Sequence, residues 1–168
     1  MAEWLDVVDA SDRVVGAASR AEVHARGLLH RAVHILVINP AGAVYVQQRS
    51  LQKDCFPGLW DTSAAGHVDS GEDYLQAAHR ELEEELGLVR QTLCSLARLP
   101  ARSATGNEFA RLYLCRTSAE PVPDPAEIMA AGWWTGSALD DWINQTPEAF
   151  TTVFRQIFAF YRSKSWVL

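Results

Sequence analysis

Glu81, Glu84 and Glu85 stand at i, i+3 and i+4 within Arg80 to Leu86, RELEEEL. On a helix turning about 100° per residue they share one arc roughly 100° wide. Three carboxylates on one face repel each other and weaken an isolated helix. A cation turns that repulsion into attraction. Oxygen-only ligands suit Mg²⁺ or Mn²⁺ and leave coordination positions for water and phosphate. Such an ion withdraws charge from phosphoanhydride oxygens and lowers the pKa of a bound water. A nearby carboxylate can take the remaining proton. The competing reading is a charged, solvated helix face, which is common in Glu-rich helices. Glu83 falls outside the arc and is expected to be a solvated surface charge.

The flanking residues extend the pattern. Gly66 lets the backbone approach an ion closely enough for its carbonyl to serve as a ligand. Glu72 and Arg80, eight residues apart, can pair only if the intervening loop folds back. Arg80 and Glu84 form an alternative i,i+4 pair. Arg49 and Lys53 precede the Gly66 loop, where they can meet phosphate oxygens or remain solvated. His67 follows Gly66 and is placed to line the same pocket. Glu108 is a candidate distal metal ligand or base, with a polar strand start as its ordinary explanation, and Glu127 is a weaker candidate. Taken singly, His24, His30 and His34 read as structural histidines. Phe56, Trp60, Trp133 and Trp134 have the chemistry to stack on a base or prenyl chain, although core packing is the default for aromatics.

These residues need elements to hold them. Leu5 to Val8, a turn at Ala10 to Arg13, and VVGAA form an N-terminal hairpin over about 4–18. Ser19 can cap a short helix that Gly27 ends. Ala32 to Ile38 is the strongest strand, and Asn39-Pro-Ala-Gly42 turns it into a second strand at Val44 to Gln48. Cys55 to Ala65 reads as a loop entering a short strand. The spacing predicts a helix over Gly71 to Leu86, with Ser70-Gly-Glu-Asp73 as its capping box. Leu75, Ala78, Leu82 and Leu86 form its apolar stripe, and Gly87 its C-cap. Leu93 to Leu99, Phe109 to Cys115 and Gly132 to Thr135 are strand candidates, and Glu120 to Pro125 is a loop. A helix at Ser137 to Ile143 would be capped by Ser137, and a last helix at Thr151 to Tyr161 would bury Val153, Ile157 and Phe160. This order predicts a single α/β domain spanning 1–168.

The chain has 168 residues, 48% of them hydrophobic, and a formal charge of -6. That suits one domain with a substantial core. The acidic balance and the lack of a basic patch argue against a nucleic-acid partner. Cys55, Cys94 and Cys115 show no zinc or redox spacing, which suggests reduced thiols in a cytoplasmic protein. No leader pattern opens the chain and no run reaches 18 apolar residues, so no membrane partner is expected. A homodimer is expected only because symmetric dimers are common.

The segment from Gly66 to Leu88 resembles the Nudix signature G-x5-E-x7-R-E-U-x-E-E-x-G-U, where U is aliphatic. Gly66, Glu72, Arg80, Glu81, Leu82, Glu84, Glu85, Gly87 and Leu88 occupy every fixed position. The resemblance implies an α/β/α sandwich around a mixed sheet, with residues 66–88 as a catalytic loop-helix-loop. It implies Glu84 and Glu85 as the main metal ligands, Glu81 as ligand or base, and Glu72 with Arg80 as a structural pair. The implied substrate is a small diphosphate, such as a nucleoside diphosphate linked to another moiety. A wider similarity covers GLLHRAVHILVIN, VQQRSLQKDCFPGLWDTSAAGHV and TPEAFTTVFRQ, and resembles type I isopentenyl diphosphate isomerase with a bacterial subgroup beside it. That similarity implies His24, His30 and His67 as metal ligands with two downstream glutamates, and Arg49 and Lys53 as diphosphate ligands. Here Ala65 replaces the isomerase's catalytic cysteine, and only Glu108 of the Glu-x-Glu pair remains. Hydrolysis is therefore expected over isomerisation. A third expectation, from a different class, is a non-catalytic sensor of diphosphate ligands.

Overall fold

The computed structural model describes residues 3–164; Met1, Ala2 and residues 165–168, which the expected 1–168 domain includes, lie outside the described residues. Nine strands and four α-helices follow in the order β1 (Trp4–Val8), β2 (Val14–Ser19), α1 (Arg20–Arg26), β3 (His30–Ile38), β4 (Val44–Arg49), β5 (Trp60–Asp61), β6 (Ala64–His67), α2 (Tyr74–Leu86), β7 (Leu93–Leu99), β8 (Glu108–Arg116), β9 (Ile128–Trp134), α3 (Gly136–Gln145) and α4 (Thr152–Ser163). β1 and β2 make a separate hairpin, and the other seven strands form one sheet. β3 runs parallel to β8 and antiparallel to β4 and β6, so the sheet is mixed.

Alternation along the strands builds the layers. Val33, Ile35 and Val37 of β3, Tyr45 of β4 and Tyr113 of β8 face α2, packing on Ala77, Ala78, Leu82 and Leu86. Leu36 and Ile38, Val44 and Val46, and Leu112 and Leu114 face the other way, onto Leu139 of α3 and Phe154, Ile157 and Phe158 of α4. The result is an α/β/α sandwich. β3 changes partners along its length: Ala32 to Ile35 pair with β6, and Val37 and Ile38 pair with β4. The gap that opens between β4 and β6 receives the functional carboxylates.

Several boundaries differ from expectation, each for a local reason. α2 begins at Tyr74, with Asp73 rather than Ser70 as its cap. Ser70 Oγ instead donates to Asp6 at 2.7 Å, and Gly71 has φ +83°, which helical backbone does not adopt. Asp73 accepts from Gln76 N at 2.8 Å, while the Gln76 side chain accepts from Asp73 N at 2.9 Å, closing the capping box. The buried stripe runs through Tyr74, Ala77, Ala78, Leu82, Glu85 and Leu86, and leaves Leu75 44% exposed. Thr135, not Ser137, caps α3, accepting from Ala138 N at 3.2 Å. α4 buries Phe154, Ile157 and Phe158, with Val153 and Phe160 at the margin. β9 is longer than expected because pairing with β4 draws the weak strand formers Met129 to Gly132 into the sheet.

Candidate active site

The site forms where α2 crosses the gap beside β6. Gly87, at φ +64°, ends α2, and Asp73 starts it, so the helix presents Arg80 to Glu85 to the gap. Glu85 is 2% exposed. Its Oε2 accepts from Gln47 Nε2 of β4 at 2.7 Å and from Ala65 N of β6 at 3.1 Å. One carboxylate oxygen thus bridges the two strands that diverge around it, and neither of these donors reaches Oε1. Gln47 Nε2 also donates to Ser63 O at 3.1 Å. Both partners are acceptors, so chemistry fixes which end of the Gln47 amide faces Glu85.

Glu81 lies against Gly66. A Cβ at position 66 would collide with the Glu81 carboxylate, so any larger residue there must displace that side chain. Burial, with Glu85 beside it, pushes the Glu81 carboxyl up to about 7, although Arg80 opposes the rise. Burial also pushes Glu85 up. Crowded, desolvated carboxylates of this kind are the donor set that a hard divalent cation satisfies. Glu84, on the same arc, is more exposed, with 58% of its side chain open to solvent.

Arg80 realises both pairings that the spacing allowed. Its guanidinium meets Glu72 through Nε at 3.1 Å and Nη2 at 2.9 Å. It also donates to Glu81 at 2.7 Å, to Glu84 at 3.2 Å and to the His67 carbonyl at 2.9 Å. The loop therefore does fold back, and Arg80 ties it to the helix.

His67 follows Gly66 on β6, and alternation directs it to the opposite side of the strand. There it meets His24 and His30, with ring centroids 5.1 Å and 5.2 Å away. Glu108 Oε1 stands 3.3 Å from His67 Nε2 and 3.5 Å from His30 Nε2. His30 Nδ1 donates to Leu28 O at 2.9 Å, and its buried Nε2 has no hydrogen-bond partner. In the neutral ring that nitrogen offers a lone pair to the cluster. Burial opposes charge on His67, yet hydrogen bonds to Glu108 and Glu3 overcome it and raise its pKa to about 9. Burial likewise opposes charge on Glu108, yet His30 and His67 hold its carboxyl far below the usual range. An unpartnered imidazole nitrogen beside a carboxylate fits a divalent ion, so His24, His30 and His67 with Glu108 could hold one.

Both groups open into one cleft of about 700 Å³. Arg49 and Lys53 line it from the side of β4 and the following loop. Arg49 lies 3.5 Å from Asp61, and Lys53 is ion-paired with Glu127. The structure thus brings Gly66, His67, Arg80, Glu81, Glu84, Glu85, Glu108, Arg49 and Lys53 together, and Glu127 with them. Glu72 acts from behind through Arg80. His34 also lines the cleft, but it is buried, with Nδ1 3.0 Å from Thr62 Oγ1. The aromatics mostly left the site. Trp60, Trp134, Trp142 and Phe150 pack edge-on or tilted in the core, and Trp133 packs on Tyr45. Only Phe56 of the four aromatic candidates lines the cleft, where it has φ +51°.

Sequence reasoning missed Glu3, Arg20 and Gln47. Glu3 reaches His67 Nδ1 at 3.3 Å and accepts from Arg20 at 2.9 Å. No local motif marks these two, since they arrive from the hairpin and from α1. Gln47 carried a signal: it shares strand parity with Tyr45, so it was due to face α2 from inside a buried strand.

A carboxylate-bearing helix thus crosses a split mixed sheet, with Gly66 pressed on Glu81 and with Arg49 and Lys53 lining the same cleft. The family model for the NUDIX domain matches residues 28–153. An uncharacterized Nudix hydrolase of Nostoc sp. is 35% identical over 162 residues, covering 95% of this chain and 96% of that protein. An isopentenyl-diphosphate Delta-isomerase of Serratia proteamaculans is 35% identical over 162 residues, covering 94% and 90%. A crystal structure from Deinococcus radiodurans superposes with a TM-score of 0.76 at 32% identity, covering 85% of this chain and 90% of that one. The chain belongs to the Nudix family and is a Nudix pyrophosphohydrolase. Such hydrolases act on small molecules with a divalent metal. Among the described residues, no helix is long and apolar enough to cross a membrane.

Proposed function

We propose that this protein hydrolyses a phosphoanhydride bond in a small nucleoside diphosphate derivative or another organic diphosphate, with Mg²⁺ or Mn²⁺. One observation carries the reading: Glu81, Glu84 and Glu85 face Arg49 and Lys53 across a single cleft. Glu84, Glu85, Glu81 and the Gly66 carbonyl would hold the ion. Bound there, it would withdraw charge from the phosphoanhydride oxygens and acidify a water. Arg49 and Lys53, exchanging Asp61 and Glu127 for phosphate oxygens, would bind and orient the diphosphate. Arg80 holds the Gly66 loop through Glu72 and keeps the carboxylates in place. Glu81 or Glu108 would take the proton from the attacking water, each standing within the cleft and shielded from bulk solvent. His67 lies beside Glu108 and can share the phosphate-binding role.

The cluster of His24, His30, His67 and Glu108 favours a second reading, isomerisation of an isopentenyl diphosphate. Ala65 weighs against it, because alkene isomerisation needs an acid and a base on opposite faces, and alanine supplies neither.

The test is a turnover screen by mass detection with Mg²⁺ and Mn²⁺. Its panel spans nucleotide sugars, dinucleoside polyphosphates, nucleoside triphosphates, coenzyme A, dinucleotide cofactors and prenyl diphosphates. Cleavage that disappears in Glu84→Gln and Glu85→Gln supports the hydrolase. Deuterium exchange into isopentenyl diphosphate without cleavage would replace it with the isomerase. Tight binding without turnover would replace it with a diphosphate sensor.

A further inference from the structure

A different set of ligand atoms converges at the mouth of the cleft. Asp54, Cys55 and His24 bring a carboxylate oxygen, a thiol and an imidazole nitrogen within 4.8 Å of one another. Asp54 Oδ2 lies 3.7 Å from His24 Nδ1, and Cys55 Sγ lies 4.0 Å from the same nitrogen. A tetrahedral zinc-type ion, with bonds of about 2.0–2.3 Å, separates its ligand atoms by roughly 3.3–3.6 Å. The two spacings to His24 Nδ1 come within about 0.5 Å of that geometry, and the Asp54 and Cys55 atoms lie within 4.8 Å of each other.

Each ligand is already steadied from behind. Arg20 Nη2 holds the other oxygen of Asp54 at 2.8 Å. Arg49 Nε donates to the Cys55 carbonyl at 3.0 Å and fixes the loop. His24 sits on α1, which Ser19 and Gly27 cap. The mixed sulfur, nitrogen and oxygen set differs in kind from the all-oxygen set on α2. It suits a borderline or soft cation, whereas the α2 carboxylates suit a hard one.

We propose that His24, Asp54 and Cys55 form a three-ligand site for a borderline divalent cation such as Zn²⁺ or Co²⁺, separate from the carboxylate site. On binding, the Cys55 thiol gives its proton to water as the sulfur–metal bond forms, and no electron is transferred. A water fills the fourth position. Coordination through Nδ1 places the His24 ring proton on Nε2. That nitrogen faces His67 Nε2 at 3.3 Å, so it can no longer offer a lone pair to the inner histidine cluster. Filling the mouth site therefore withdraws His24 from that cluster.

The experiment is a Co²⁺ titration of the full chain, read by the near-ultraviolet thiolate-to-cobalt charge-transfer band. Cys94 is exposed and Cys115 buried, so each serves to test specificity. The wild type should show a band that saturates at one equivalent, is displaced by Zn²⁺ and survives excess Mg²⁺. Cys94→Ser should keep the band, Cys55→Ser should lose it, and Asp54→Asn should require more Co²⁺ to reach it. An unchanged unfolding midpoint for Cys55→Ser would show that loss of the band is not loss of fold. No band in the wild type, or a band that persists in Cys55→Ser, would overturn the site.

Discussion

Glu85 is held by two donors on one oxygen, and this shapes what the residue can do. Gln47 and the Ala65 amide both reach Oε2 at hydrogen-bond distance. Neither donor occupies Oε1, and the side chain cannot rotate without abandoning both donors. Replacing Gln47 by Met keeps the volume and removes one donor. Outer partners of metal ligands typically contribute about 10–100-fold in metal affinity. Gln47→Met is therefore expected to raise the Mg²⁺ concentration for half-maximal turnover by about that factor, while kcat at saturating Mg²⁺ changes less. Equal Mg²⁺ dependence in variant and wild type would remove Gln47 from the positioning role. Gly66→Ala tests the opposite wall. A methyl group there must displace the Glu81 carboxylate, and overpacking of this kind costs about 1–3 kcal/mol. Both a lower unfolding midpoint and reduced turnover are expected, and a variant matching the wild type would contradict the packing.

At the scale of the element, α2 is the part on which the rest depends. Its apolar stripe packs Ala77, Ala78, Leu82 and Leu86 onto the sheet, and its polar edge carries the carboxylates to the gap. The helix starts at Asp73, so the cap sets which residues of the following turns face the gap. Asp73→Ala should cost about 1 kcal/mol of stability, the usual magnitude for losing an N-cap. Ser70→Ala should weaken the tie to Asp6 instead, without changing helix content. Denaturant unfolding followed by circular dichroism separates the two. An Asp73→Ala protein as stable as the wild type would return the cap to Ser70. The same logic explains Glu84: it lies one step further round the helix than Glu85, and so meets solvent where Glu85 meets the two strands.

At the scale of the whole molecule, the charge network ties the N-terminal hairpin to the site. Glu3, Arg20, His67 and Glu108 form a continuous chain of ion pairs from the residue before β1 and the start of α1 to β8. His67 has its pKa raised from 6.5 to about 9, against burial, by Glu108 and Glu3. A raised imidazole contributes stability that is complete below the unfolded value and is lost as pH climbs through the folded one. The metal-free protein should therefore lose thermal stability between pH 6.5 and about 9. Glu3→Gln should flatten that decline, and a flat wild-type profile would deny the network its role. Glu81 shifts the same way, from 4.5 to about 7, so proton release from it also costs metal-free stability as pH rises across that window. Mg²⁺ should reverse this, because it binds the ionised form. At a hundred times its Kd a ligand contributes about 2.7 kcal/mol. For a chain of this size that corresponds to a rise of about 5–10 °C in unfolding midpoint. No rise with Mg²⁺ or Mn²⁺ would undo the metal assignment.

Residues close in sequence were legible without the fold. Gly66, Glu72, Arg80, Glu81, Glu84 and Glu85 fall within one loop and one helix, so helical spacing alone put the carboxylates on one arc. The strands were legible too, because β-branched residues and period-two burial are local properties of β3, β4 and β8. What required the tertiary structure was everything joined across long sequence separations. Glu85 finds Gln47 only because β3 trades β6 for β4 midway along its length. His24, His30, His67 and Glu108 converge only because α1, β3, β6 and β8 end on the same side of the sheet, and no spacing rule connects them. The tryptophans were open to either use until packing resolved them: Trp60 and Trp134 pack between the sheet and α3 and α4, and Trp133 packs on the α2 side, where their large apolar area is better buried than left at a polar cleft. Local spacing therefore determined the chemistry of the carboxylate site and the Arg80 contacts of Glu81 and Glu84, while strand pairing decided which distant polar groups fix Glu85 in place.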